Sequence, residues 1–306
     1  MKILLAGATG TLGGPLIRQF NAAGHEVVGI ARTPQGVERL RTRGAGAVLA
    51  DVLDRDAFLR AVENMSADAV VHELTDLKKA PATFGAMKQT NRLRIEGTAN
   101  LVEAAQLIGA KRMITQSIVF GYGYTDHGHQ PVTEETPFGE PRGDATDVPV
   151  QALLSTETQV RQAEGIAGIA LRYGLFYGDD ILGMKRSLNR FALPVPSYWR
   201  GKIPLIHHWD AASATVAALE RGVPGRAYNI VDDLPVSWHE FITTVARETG
   251  ARKPVVLPDA VLRAVAPYAG ALITRLSMRV SNDLAKKELR WEPRYPTVAD
   301  GVKASS

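Results

Sequence analysis

The chain has 306 residues, 45% hydrophobic and 22% charged, long enough for one large or two modest cores without a metal or disulfide staple. It has no cysteine, which excludes structural disulfides, a thiolate nucleophile, iron–sulfur ligation and cysteine-containing zinc fingers. Thirty-six Lys and Arg against 32 Asp and Glu leave a net charge of +4 with the two signs interspersed, so no nucleic-acid partner is expected and a small anionic ligand fits as well.

Only positions 3–6 form an apolar run before Gly7, too short for a signal peptide, and no stretch of about 18 residues free of charge and proline would span a bilayer. A soluble, cytoplasmic protein with no membrane partner is expected; the oligomeric state is not legible here. In chain order, short runs rich in Val, Ile and Leu at 2–6, 26–31, 47–50, 67–72, 112–117 and 166–172 predict doubly buried strands. Between them, 12–23 and 92–108 carry helical spacing and end at Gly24 and Gly109. This alternation predicts an α/β fold of the Rossmann type, a doubly wound parallel sheet.

After Gly178 the pattern changes. Pro194, Pro196 and Pro204 interrupt a segment holding Phe191, Tyr198 and Trp199, which reads as a covering loop. A helix over 211–221 with Asp210 at its N-cap and a strand over 227–231 return the chain to the sheet. Helical patterns at 238–249, 259–276 and 282–289 then form a smaller, mainly helical C-terminal lobe. The expected division is 1–178 plus 205–232 for the nucleotide-binding domain, and 179–204 plus 233–306 for a substrate lobe and lid.

The sharpest signal is Gly7-Ala8-Thr9-Gly10-Thr11-Leu12-Gly13, directly after the first strand and opening the first helix. Glycines there allow a tight turn and close approach of backbone N–H groups to a pyrophosphate, whose charge the helix N-terminus favours. Gly7, Thr9, Gly10, Thr11, Leu12 and Gly13 are thus the expected cradle of a dinucleotide. No lysine follows the glycines, so the loop is not a P-loop. An NAD-binding protein usually ends its second strand with an acid; here Ala31-Arg32-Thr33 offers a guanidinium suited to a 2′-phosphate, so NADP(H) is expected. Asp51, placed for the adenine unless it serves as a helix cap, with Val52, Leu74 and Thr75, completes the expected cofactor contacts.

The glycine loop, Asp51-Val52, Val70-Val71-His72, Glu96-Gly97-Thr98-Ala99-Asn100-Leu101, Leu171-Arg172-Tyr173-Gly174, Phe176-Tyr177-Gly178 and Ala285-Lys286-Lys287-Glu288-Leu289-Arg290-Trp291 together resemble extended short-chain dehydrogenase/reductases of the NAD-dependent epimerase/dehydratase type. That resemblance implies proton chemistry by a Tyr, a Lys four residues later and a Ser on the preceding strand. Yet no Tyr lies between Tyr124 and Tyr173 and no Lys between Lys111 and Lys185. Matching Glu157 to the family's helix acid puts Pro149 and Leu153 at the Tyr and Lys positions, Gln116 at the Ser position with Ser117 beside it, and Arg94 where many members have Asn. Thr90-Asn91-Arg92-Leu93-Arg94 and Gln116-Ser117 resemble an atypical subgroup that lacks this Tyr–Lys pair and includes natural-product ketoreductases.

The expected function is an NADPH-dependent ketoreductase acting on a small aromatic, polyketide-like intermediate of the kind used in antibiotic biosynthesis, with Ser117, Gln116 and Tyr124 as the candidate catalytic residues. The proton would come from Ser117, from water or from a phenol of the substrate beside the ketone. Val261, Leu262, Val265, Tyr268, Leu272 and Ile273 would line the pocket or pack as a helix face. A noncatalytic NADP(H)-sensing regulator and a nucleotide-sugar epimerase or dehydratase are the alternatives; the missing Tyr counts against the latter. His127-Gly128-His129 and His207-His208 lack the spacing of a zinc motif, and no metal is expected.

Overall fold

The computed structural model describes residues 1–77 and 81–306. Seven strands form one parallel sheet: β1 (Lys2–Ala6), β2 (Glu26–Ala31), β3 (Gly46–Leu49), β4 (Ala69–His72), β5 (Arg112–Ile118), β6 (Ala167–Tyr173) and β7 (Ala227–Ile230). Their spatial order is β7-β6-β5-β4-β1-β2-β3, so the winding reverses at β1 and opens a crevice at the carboxyl ends of β1 and β4. Apolar side chains on both faces explain the parallel arrangement. Ile3 and Leu5 enter one core with Leu16, Ile17 and Phe20, whereas Leu4 and Ala6 enter the opposite core with Val70, Leu101 and Met113.

The helices are α1 (Gly13–Ala22), α2 (Pro34–Thr42), α3 (Arg55–Val62), α4 (Lys88–Arg92), α5 (Thr98–Leu107), α6 (Asp147–Arg161), α7 (Ile181–Asn189), α8 (His208–Arg221), α9 (Trp238–Thr249), α10 (Asp259–Val265), α11 (Pro267–Thr274), α12 (Asp283–Leu289) and α13 (Val298–Ser305). Helix α9 carries a full capping box, Ser237 with Glu240, and stops at the left-handed Gly250. A third apolar core joins Ile181 and Leu188 of α7, Phe241 and Val245 of α9, Tyr268 of α11 and Val302 of α13. Among the described residues no helix is long and apolar enough to cross a membrane.

Several local expectations need correction. The segment 179–204 is not all loop, because Ile181, Met184 and Leu188 recur at helical spacing and form α7. Asp210 does not cap α8. The His207 side chain does, accepting from the Trp209 N–H at 3.1 Å, while the fully buried Asp210 accepts from the Arg294 and Tyr295 N–H groups at 2.9 and 3.0 Å and pins the C-terminal segment. The helix expected over 259–276 breaks at Ala266, which the following Pro267 excludes from helical backbone. Finally, the helix expected from residue 92 starts at Lys88 and passes through a π turn, Leu93–Gly97, before α5.

Candidate nucleotide and substrate site

The glycine loop leaves β1 and enters α1 at the crevice. Gly7 has φ +91°, and a Cβ there would lie 2.4 Å from the Glu73 carbonyl oxygen; a Cβ on Gly13 would lie 2.1 Å from the Ala8 oxygen. The first glycine therefore makes the turn and the third lets helix and strand close up. Gly10 differs: its absent Cβ faces only the Gly7 oxygen at 3.1 Å, and the residue is exposed, as is Thr11. No side chain caps α1 and no acid sits in its first turn, so its N-terminus is open to an anion. This cradle fits the pyrophosphate of a nicotinamide dinucleotide.

Arg32 follows β2 and is exposed, 3.8 Å from the Asp76 carboxylate. Such a loose surface pair contributes only about 0–1 kcal/mol, so Arg32 is available to a stronger anion. Asp51 is not a helix cap: Asp54 caps α3, and the Asp51 carboxylate accepts from the Leu53 N–H at 3.0 Å in a local turn. Val52 is buried, its carbonyl held at 2.8 Å by the Asn100 amide of α5. Leu74 is half-buried and Thr75 exposed where the chain leaves β4.

Gln116 and Ser117 end β5. The Gln116 amide donates to the Leu74 carbonyl at 3.1 Å, tying the two candidate segments together. Ser117 is fully buried and its hydroxyl has no hydrogen-bond partner among the described residues. Alternation along the strand puts it on the face of Thr115, whose hydroxyl meets Thr156 of α6 at 3.1 Å. Thr156 in turn meets Thr98 at 2.7 Å, and Thr98 meets the His72 Nε2 at 3.0 Å. Because the Leu74 N–H donates to His72 Nδ1, the Nε2 carries the proton and donates to Thr98. Burial and the nearby Arg94 push His72 down to about 3, keeping it neutral. Nothing in the sequence announced this network, which locks β4, α5, α6 and β5 behind the crevice.

On α6, Pro149 and Leu153 are both buried, and Glu157 instead grips Arg172 with two hydrogen bonds of 2.9 and 2.8 Å. Arg172 also donates to the Tyr122 hydroxyl, which donates to Asn229 at 2.8 Å, so Tyr122 is a packed part of this network. Tyr124 stands apart: its hydroxyl lies 3.2 Å from that of Tyr268 on α11. Of the apolar C-terminal residues, Leu262 and Tyr268 are buried, Leu272 and Ile273 are half-buried, and Val261 and Val265 are exposed. Of the histidine pairs, His127 and His129 lie in the strand Asp126–Val132, and His207 ends the short strand Leu205–His207 while His208 opens α8 and stacks on Phe176.

Glu73, beside the glycine loop, accepts from Tyr173 at 3.0 Å. Burial raises its carboxyl to about 8, against the opposing effect of that hydrogen bond. The native state therefore holds a proton the unfolded chain has lost, and stability falls as pH rises from the ordinary carboxyl range to about 8. His72 acts oppositely, removing stability as pH falls below its ordinary value of 6.5. Glu73→Gln should make the fall between about pH 4.5 and 8 shallower in melts recorded at successive pH values; an unchanged profile would show that the carboxyl is ionised in the native state.

The sequence matches the NAD dependent epimerase/dehydratase family over residues 3–231. A 3-diazoavenalumate denitrifying reductase from a Streptomyces species is 34% identical over 316 aligned positions, with 99% of each chain covered. A 4-hydroxy-2-methyl-3-oxo-4-farnesyl-3,4-dihydroquinoline-1-oxide ketoreductase from Stigmatella aurantiaca is 24% identical, with 96% of this chain and 92% of that one covered. Among solved structures, a human epimerase family protein with NADPH superposes at a TM-score of 0.79 over 100% of this chain and 99% of its own, at 21% identity, a likeness of fold alone. By its sequence match and by the switch-point glycine loop that the fold presents, this chain belongs to the NAD dependent epimerase/dehydratase family.

Proposed function

We infer that the chain is an NADPH-dependent reductase, and specifically a ketoreductase, of a small aromatic substrate. One observation carries the reading: a glycine loop shaped for a dinucleotide stands with an Arg32 side chain at the end of β2 held only by a loose 3.8 Å pair with Asp76, while α6 offers buried Pro149 and Leu153 where the family resemblance places the Tyr and Lys. The loop from Gly7 to Gly13 would hold the pyrophosphate, Arg32 the 2′-phosphate and Asp51 the adenine, with Val52, Leu74 and Thr75 along the remainder. When bound, the reduced nicotinamide supplies a hydride. The names of the reductase and ketoreductase relatives support this direction of chemistry.

Losing the usual acid need not stop reduction. Positioning of two reactants contributes about 7–11 kcal/mol, whereas a general acid contributes about 10²- to 10⁴-fold, or roughly 3–5 kcal/mol. The carbonyl carbon takes the hydride and its oxygen takes a proton from an adjacent phenol of the substrate, from water or from Ser117. Arg32→Ala should weaken NADPH binding about tenfold or more while leaving NADH binding nearly unchanged; equal effects on both would remove the NADP(H) preference. In turnover assays, methylating the substrate's neighbouring phenol should abolish reduction while Ser117→Ala retains most of it; the reverse pattern would make Ser117 the donor.

A second reading is favoured by the relative named for denitrifying a diazo compound. Hydride delivery to an aryl diazonium carbon with release of dinitrogen replaces a C–N bond by C–H and needs no acid at oxygen, so the same site serves it. Dinitrogen release matched to NADPH oxidation would distinguish this substrate from a ketone.

A further inference from the structure

Arg94 is 3% exposed, yet no carboxylate pairs with it among the described residues. Its only hydrogen bond there is a long one, 3.4 Å to the Asn91 side chain, and its Nε has no partner. Burying an unpaired guanidinium is strongly unfavourable, and a fold that keeps one without a counter-ion keeps it for something that is not part of the chain. Arg94 lies on the helix face that also buries Thr90, Leu93, Gly97 and Thr98, spaced at i, i+3, i+4, i+7 and i+8.

The surroundings describe the missing partner. The Tyr124 and Tyr268 hydroxyls meet at 3.2 Å, and both phenols lie close enough to Arg94 to interact with its charge. Phe84 packs edge-on against Tyr268 with ring centres 5.3 Å apart, and Phe120 flanks Tyr124 at 5.7 Å. Asn91, the hydrogen-bond partner of Arg94, and Phe84, which packs on Tyr268, line an open groove of about 770 Å³ together with Pro149 of α6; Arg94, Tyr124 and Tyr268 are not in its lining but lie behind these two residues. A cation with a planar fork of donors, two phenol hydroxyls and aromatic walls match an oxygen anion attached to an aromatic system.

We propose that Arg94, assisted by Tyr124 and Tyr268, binds an anionic oxygen of an aromatic substrate, a carboxylate or a phenolate, and so positions that substrate. This rests on the reductase reading for the word substrate, but the anion site itself is tested without turnover. The probes are cinnamate (carboxylate, no phenol), 4-nitrophenol in its phenolate form (phenolate, no carboxylate) and their neutral counterparts cinnamamide and 4-nitroanisole, titrated calorimetrically with and without NADPH. At least one anion should bind about tenfold more tightly than its neutral counterpart, and which one does so identifies the oxygen. Arg94→Met should erase that preference, Arg94→Lys should retain part of it, Tyr268→Phe should weaken it, and NADPH affinity should be unchanged in all three. Equal binding of charged and neutral probes to the wild type, or a preference that survives in Arg94→Met, overturns the proposal. Should Arg94→Met not fold, Arg94→Gln and Arg94→Lys are read in its place. An intact anion preference in a protein that binds no NADPH would sink the reductase reading and leave the anion site standing.

Discussion

Replacing Glu157 by leucine should destabilise the protein by about 3–5 kcal/mol, a large share of a typical folding free energy. The Glu157 and Arg172 side chains are 1% and 6% exposed, so the charge left behind would have nowhere to go. Arg172 would keep the Tyr122 hydroxyl and the faces of Phe138 and Tyr122 at 4.7 and 5.0 Å, but neither is an anion. The double variant Glu157→Leu with Arg172→Met should recover most of the loss, because two apolar side chains need no pairing. Urea unfolding of the four proteins measures the cycle. A single variant within about 1 kcal/mol of wild type would mean that the remaining partners suffice, and that this pair does not hold β6 to α6 as argued.

The glycine loop gives the second large effect, and its two halves separate folding from binding. Gly13→Ala places a Cβ 2.1 Å from the Ala8 oxygen and 2.5 Å from its carbon, both backbone atoms, so the glycine loop and the start of α1 must move apart. Overpacking of this kind typically costs about 1–3 kcal/mol, and here it should be at or above that range and should also disrupt nucleotide binding. Gly10→Ala meets only the Gly7 oxygen at 3.1 Å and should fold with near-normal stability. Its methyl group nevertheless occupies the approach to the pyrophosphate, so NADPH affinity should drop about tenfold or more. Melting curves and NADPH titrations on both variants check this; normal affinity in folded Gly10→Ala would place the nucleotide elsewhere.

Local patterns were readable because they reflect local physics. The turn at Gly7 and the helix opening at Gly13 are settled by neighbours within a few residues, and the strands of the sheet lie close to where their apolar runs put them. What stayed hidden depends on separation or on irregularity. Tyr268 meets Tyr124 across 144 positions, and the chain of hydroxyls from His72 to Thr115 joins four separate elements. Arg94 was legible as an unusual residue type, and its burial follows the helical spacing of Thr90, Leu93, Gly97 and Thr98, but the lack of a carboxylate partner for it among the described residues depends on what distant elements bring to that face. The helix α7 was masked by prolines further along, although the spacing of Ile181, Met184 and Leu188 carried the signal. Asp210 looked like a cap because it precedes an apolar run, and only the returning C-terminal segment shows what it holds.

The central claim is that a working nicotinamide site persists beside a helix, α6, that carries neither tyrosine nor lysine. Titrating the wild-type chain with NADPH and, separately, with NADH tests it most directly. The account predicts saturable one-to-one binding, tighter for NADPH and weakened in Gly10→Ala. No measurable heat with either coenzyme would contradict it.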